Sequence, residues 1–217
     1  MKLSKTTLSV LKNFASINQS IVIKPGTTLE TISNVKDVFA KFNVEETFDK
    51  NIAIYDLNEF LGVVSLFEDP EFEFGDDSVI ISQGKQKQKY FYADQSIITT
   101  PPEKGVSLPS VEVSANLSKE QLGTLIKAAA VNSSSDLTFT NGDVKVHDKT
   151  VPNSNSFIIE GVTDTSAQYS LSIGVEKLKV IADDYDVDVC AKGLANFKGA
   201  SGVEYFIALQ PDGQYSE

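Results

Sequence analysis

One histidine, His147, and one cysteine, Cys190, are all that the 217 residues offer of the side chains most often used for acid–base or nucleophilic work. His147 lies in VKVHDK, with Asp148 beside it as an orienting carboxylate, and Asp183 and Asp184 complete the acids such a mechanism would draw on. The alternation in VKVH reads more simply as a strand with a solvent-facing histidine. A Cys/His metal site is ruled out by numbers alone. Carboxylates cluster in EDPEFEFGDD and ADDYDVDV, but neither has the D-x-[DN]-x-[DN]-G spacing of a calcium loop. Asp186 and Asp188 alternate with Val187 and Val189 as in a half-exposed strand, which Cys190 continues toward the interior. With neither GxxxxGK[ST] nor GxGxxG present, no phosphate loop exists. No catalytic residue, metal or cofactor is expected.

What remains is lysine. Lys5 and Lys12 fall seven apart on the polar side of an amphipathic stretch with Ser9, Asn13 and Ser16, opposite Leu3, Val10, Leu11, Phe14 and Ile17. Both therefore point the same way, toward solvent or an anion. KQKQK (Lys85 to Lys89) puts three lysines on one strand face, where such a stripe more often guards an edge than tracks a phosphate backbone. The net charge of −11 excludes a surface coated for nucleic acid, so any DNA contact must be local and loose. A composition of 41% hydrophobic and 23% charged residues is that of a globular protein. No membrane span or secretory leader is read, and the single cysteine fits a reducing compartment.

Positioning these lysines falls to a repeated architecture. Leu3, Ser4, Lys5, Leu8 and Leu11 recur as Leu117, Ser118, Lys119, Leu122 and Leu125, and YFYADQ (Tyr90 to Gln95) recurs as YFIALQ (Tyr205 to Gln210). The offsets of 114 and 115 imply duplication and two domains. In the first half a helix from Ser4 to Ile17 precedes strands at IVIK, VFAKFNVEETF and Ile52 to Tyr55, then a helix capped by Asp56, then strands at EFEF, SVIIS and KQKQKYFYA. The second half repeats the order, with a helix from Ser118 to about Val131 whose core face is Leu122, Leu125, Ile126 and Ala129. A weaker fourth helix is expected at GVEKLKVIADD. The class is α+β: two tandem domains of antiparallel sheet with two helices each, 1–93 and 111–217, joined by the proline-rich linker 94–110.

The segments LKNFASIN, AIYDLNEFLGVVSL and YFIALQPDG resemble the DNA polymerase sliding clamp of T-even-type bacteriophages, over the whole chain and most closely in 1–23 and 52–67. These motifs are structural and carry no catalytic signature. The resemblance implies a homotrimeric ring around duplex DNA that tethers the replicative DNA polymerase, is loaded by a clamp loader ATPase, and in some relatives serves late transcription. It places the protein in the cytoplasm of an infected bacterial host. With helices about 10 Å across, four domains leave a bore of roughly 15 Å, too narrow for a duplex about 20 Å wide, whereas six leave roughly 28 Å. On this implication Lys5, Lys12 and Lys127 line the bore, Lys119 sits at its margin, and Lys177 and Lys179 add to it from the fourth helix. Ile126 stands where the repeat would put a partner for Lys12, so the second domain is expected to be less basic. A client's hydrophobic tail is implied to dock at Val106, Leu108, Leu209 and Pro211. The alternative from another class is a phage structural or assembly ring enclosing no nucleic acid.

Overall fold

The computed structural model describes residues 1–163 and 167–216. It divides into two units, Met1–Lys104 and Gly105–Glu217. Unit 1 runs α1 (Lys5–Ile17), β1 (Ile21–Ile23), β2 (Gly26–Ile32), β3 (Val38–Phe48), β4 (Ile52–Ile54), α2 (Leu57–Val64), β5 (Glu71–Phe74), β6 (Ser78–Gln83) and β7 (Gln86–Phe91). Unit 2 runs β8 (Val113–Leu117), α3 (Lys119–Asn132), β9 (Asp136–Thr140), β10 (Val144–His147), β11 (Phe157–Ile159), β12 (Gln168–Gly174), a 3-10 turn (Val175–Lys177), β13 (Tyr185–Cys190), β14 (Leu194–Gly199), β15 (Glu204–Ala208) and β16 (Gln214–Ser216).

Within unit 1, β1 pairs with β4, β2 with β3, and β5–β6–β7 form a meander, all antiparallel. The two-residue turn from β6 to β7 needs a left-handed backbone, which Gly84 supplies at φ 59°. Helix α1 packs against α2, β2 and β3, burying Val10, Leu11, Phe14 and Ile17 with Leu57 and Phe60 of α2. The residues following β7 close over this unit: Ile98 is buried with Val22 and Ala53, and Ala93 packs beside them.

Unit 2 holds one sheet in the order β11–β10–β9–β12–β16 and a second run β8–β13–β14–β15. The element order of unit 1 recurs about 115 residues on. Helix α1 corresponds to α3, the pair β1–β4 to β9–β12, the pair β2–β3 to β10–β11, and the meander β5–β6–β7 to β13–β14–β15. The duplication read from two short echoes is thus carried by one helix and seven strands in the same order in each unit.

The fourth helix is the exception and corrects the sequence expectation. Where unit 1 has α2, unit 2 has only the 3-10 turn, after which Leu178 to Asp184 form no helix. Asp56 caps α2 by accepting from the Glu59 N–H, whereas the residue before Val175 is Gly174, with no side chain to cap anything. The next segment finds partners elsewhere: the Tyr205 hydroxyl accepts from the Ile181 N–H at 3.1 Å, and the Tyr185 hydroxyl donates to the Ile181 carbonyl at 2.6 Å. Backbone groups satisfied in this way gain little from coiling.

Candidate functional site

Helix α1 begins at Ser4, whose hydroxyl accepts from the Thr7 N–H at 3.1 Å. The third helical residue is Thr7, too short to reach back to the Ser4 N–H as a glutamate would in a capping box. Glu46 of β3 supplies that carboxylate from a distance in sequence. It accepts from the Ser4 N–H and, at 2.6 Å, from the Thr7 hydroxyl. Burial acts to raise the Glu46 pKa, but the bonds from Thr7 and Ser4 hold it below the ordinary glutamate value. Such a group contributes stability above its unfolded pKa, near 4.3, and loses it as pH falls through the depressed folded value. Glu46→Gln should therefore lower the melting temperature at pH 7 by roughly 2 to 4 °C. The gap to wild type should narrow on acidification to about pH 3. A gap independent of pH would remove the carboxylate from this role.

So anchored, α1 turns Lys5, Ser9, Lys12 and Ser16 to solvent in one stripe, with Lys5 and Lys12 about 10 Å apart along the axis. Neither lysine makes an ion pair among the described residues, although the chain carries 30 carboxylates. Helix α3 has the full capping box. The Ser118 hydroxyl accepts from the Gln121 N–H, the Gln121 side chain accepts from the Ser118 N–H at 2.9 Å, and Asp184 accepts from the Lys119 N–H at 2.7 Å. Leu122, Leu125 and Ala129 are buried, while Lys119, Glu120, Thr124 and Lys127 are exposed. Ile126 is half-buried at the position that matches Lys12, so beyond Lys119 in the first turn the exposed cation of this helix is Lys127, about 100° round from that position. The expected placing of Lys177 and Lys179 on a helix is corrected: Lys177 ends the 3-10 turn, half-buried, and Lys179 lies exposed beyond it.

The DNA polymerase processivity factor family matches residues 2–99, and the gp45 sliding clamp C-terminal family matches 104–211. A sliding clamp of Vibrio phage KVP40 is 32% identical over 97% of this chain and 99% of its own length. The chain belongs to the sliding clamp family. The sliding clamp of Enterobacteria phage T4 is 29% identical, covering 98% of both chains. In fold, the chain resembles A. fulgidus PCNA, solved with the C-terminal region of FEN-1, at a TM-score of 0.72 and 13% identity over 98% of each chain. Sliding clamps are processivity factors for DNA polymerase and not enzymes. That is the activity of this chain, and it displaces the assembly-protein alternative.

The remaining side chains of this clamp fit that conclusion. His147 is not solvent-facing as expected: it is half-buried on β10, its Nε2 3.0 Å from the Thr138 hydroxyl, which lies 2.9 Å from that of Ser172. Burial, then Lys145, pushes its pKa down. Asp148, the expected partner, accepts instead from the Thr150 N–H and hydroxyl. Asp186 accepts from Asn116, and Asp188 from Ser114 and Lys198, so both are occupied in cross-strand pairs. Asp183 accepts from the Ser201 N–H. Cys190 is buried, 3.3 Å from the Ser110 hydroxyl. Of the suggested docking residues, Val106 and Leu108 are half-buried on an irregular segment, Leu209 is buried, and Pro211 is exposed. Sequence reading did not anticipate a cleft of about 550 Å³ in unit 1, between Val22, Lys24, Pro25 and Asn51 on one side and Gln95 to Glu103 on the other. Among the described residues, no helix is long and apolar enough to cross a membrane.

Proposed function

We propose that three copies close head to tail into a ring around duplex DNA, with domains 1–93 and 111–217 and the linker 94–110 repeating around it. Lys5 and Lys12 face the phosphates, joined by Lys127, with Lys119, Lys177 and Lys179 contributing less. The observation that carries this reading is the α1 stripe: two parallel lysines without ion pairs among the described residues, on a rigidly capped helix, in a protein otherwise rich in carboxylate. Charges left unpaired in an acidic molecule suit an external polyanion held without base readout. The ring tethers a DNA polymerase, raising its effective concentration at the primer end. A clamp loader ATPase opens and closes it, and late-transcription proteins are further clients, in the cytoplasm of the infected host. Val106, Leu108, Leu209 and Pro211 form the client-docking region, with Leu209 acting through the packing beneath it.

The native mass tests the assembly directly. Sedimentation or native mass spectrometry at micromolar concentration should give a species near 71 kDa, three times the 23.6 kDa chain, with no nucleotide or metal added. A dimer, or a monomer that persists as concentration rises, would overturn the ring. Retention adds a second test. Loaded rings should stay on closed circular DNA and run off linear DNA with free ends, because the lysines attract phosphate too weakly to hold a ring on an open track. Equal retention on both would indicate ordinary electrostatic binding.

A further inference from the structure

From Gly105 to Glu112 exposure alternates residue by residue. Val106, Leu108, Ser110 and Glu112 are half-buried, whereas Gly105, Ser107, Pro109 and Val111 are exposed. A period of two is the mark of an extended strap with one side turned to the protein. Among the described residues only the last part of this strap is hydrogen-bonded. The Glu112 N–H donates to the Val189 carbonyl at 3.1 Å, and the Glu112 carboxylate accepts from the Ala191 N–H at 2.8 Å, just past the end of β13. On the same side of the strap the Ser110 hydroxyl lies 3.3 Å from the Cys190 sulfur.

The placing of Val106 and Leu108 is therefore decided further along the chain. Shifting the strap by one residue would carry both to the outer side and bring Ser107 and Pro109 inward. The Glu112 carboxylate opposes that shift, because a charge-assisted bond to a fixed backbone N–H is stronger than a neutral one. The Ser110 hydroxyl, and then the Ala191 N–H, hold its pKa below the ordinary glutamate value against the effect of burial, so it is charged at neutral pH. We infer that Glu112 is a positioning residue for client docking: its carboxylate pins the strap in register, so that Val106 and Leu108 stay on the side where a partner's apolar tail meets them. The inference rests on the docking region proposed above.

Cys190 is the chain's only cysteine and is fully buried, so it reports on the strap without reference to any client. A buried thiol reacts only when its cover opens, and the rate at which DTNB labels the native protein measures that opening. Glu112→Ala should speed labelling about tenfold and Ser110→Ala about threefold, while Glu112→Gln, whose amide oxygen can still accept from Ala191, should stay within about threefold of wild type. Should Glu112→Ala not fold, Ser110→Ala and Glu112→Gln carry the same comparison. Titrated in solution with the replicative DNA polymerase, Glu112→Ala should bind about tenfold more weakly, and Glu112→Gln should recover most of that loss. Leu108→Ser tests the docking region itself and should weaken binding by a similar factor. Labelling as slow in Glu112→Ala as in wild type would show that the strap is not pinned there and overturn the inference. Normal polymerase binding by Glu112→Ala, with Leu108→Ser impaired, would overturn the positioning role and leave the docking region standing. Normal binding by Leu108→Ser would remove the docking region and this inference with it.

Discussion

With Lys5 and Lys12 both changed to alanine, the protein is expected to fold and trimerise as wild type does, yet to lose most of its capacity to keep a polymerase on primed circular DNA. The two positions are exposed, and alanine is at least as good a helix former as lysine, so stability should change by less than about 0.5 kcal/mol. Function should not be spared, because each substitution appears three times in a ring. The salt series is the informative measurement. Affinity for DNA should fall, and its dependence on log salt should become shallower by about 0.9 for each phosphate contact removed. His147→Ala, which removes from β10 a ring bonded to the Thr138 hydroxyl, should alter neither property. Unchanged processivity and an unchanged salt slope in the double variant would mean that α1 does not face DNA.

Phe14→Ala should have the largest effect on stability of any change in α1. Phe14 is fully buried, on the face opposite Lys12, and its removal leaves a cavity beneath the helix that presents both lysines. Losses of about 3 to 5 kcal/mol are usual for such a truncation. In a chain of this size that lowers the melting temperature by roughly 6 to 20 °C. Processivity should fail at temperatures where the wild type works, though no lysine has been touched. Ser16→Ala, an exposed change on the same helix, should leave melting and processivity near wild type. A loss under about 1 kcal/mol for Phe14→Ala would show that the helix is not held by that face.

The two long helices were legible because their apolar residues follow a 3.6-residue period and because serine stands at each N-cap, a signal contained within a few residues. The alternating strands and the α2 cap at Asp56 were legible for the same reason. What sequence could not disclose depends on distant residues. Glu46 completes the α1 cap across 42 positions, and Tyr205 reaches the Ile181 N–H across 24. No local pattern marks either. The fourth helix was misread because Leu178 and its neighbours have an acceptable spacing, while Gly174 offers no cap and two tyrosines claim the backbone beyond. Of the site, the α1 stripe was readable from periodicity. That β7 ends its sheet became visible only with strand order, although the lysine run had already marked it as an edge.

The start of a helix is a ready resting place for phosphate, since its first N–H groups point outward together and its dipole favours negative charge. In α1 and α3 that place is already taken by the protein's own acids, Glu46 on one helix and Asp184 on the other. In the ring proposed above, a duplex passing along a wall of such helices would meet no fixed cradle. It would meet ammonium groups on flexible four-carbon stems, which follow a phosphate briefly and release it to water. The energy profile along the DNA axis is then nearly level, and the friction on the ring approaches that of the solvent film between wall and duplex. In that arrangement, blocking the helix ends internally would let the same surface attract DNA without giving it anywhere to stop.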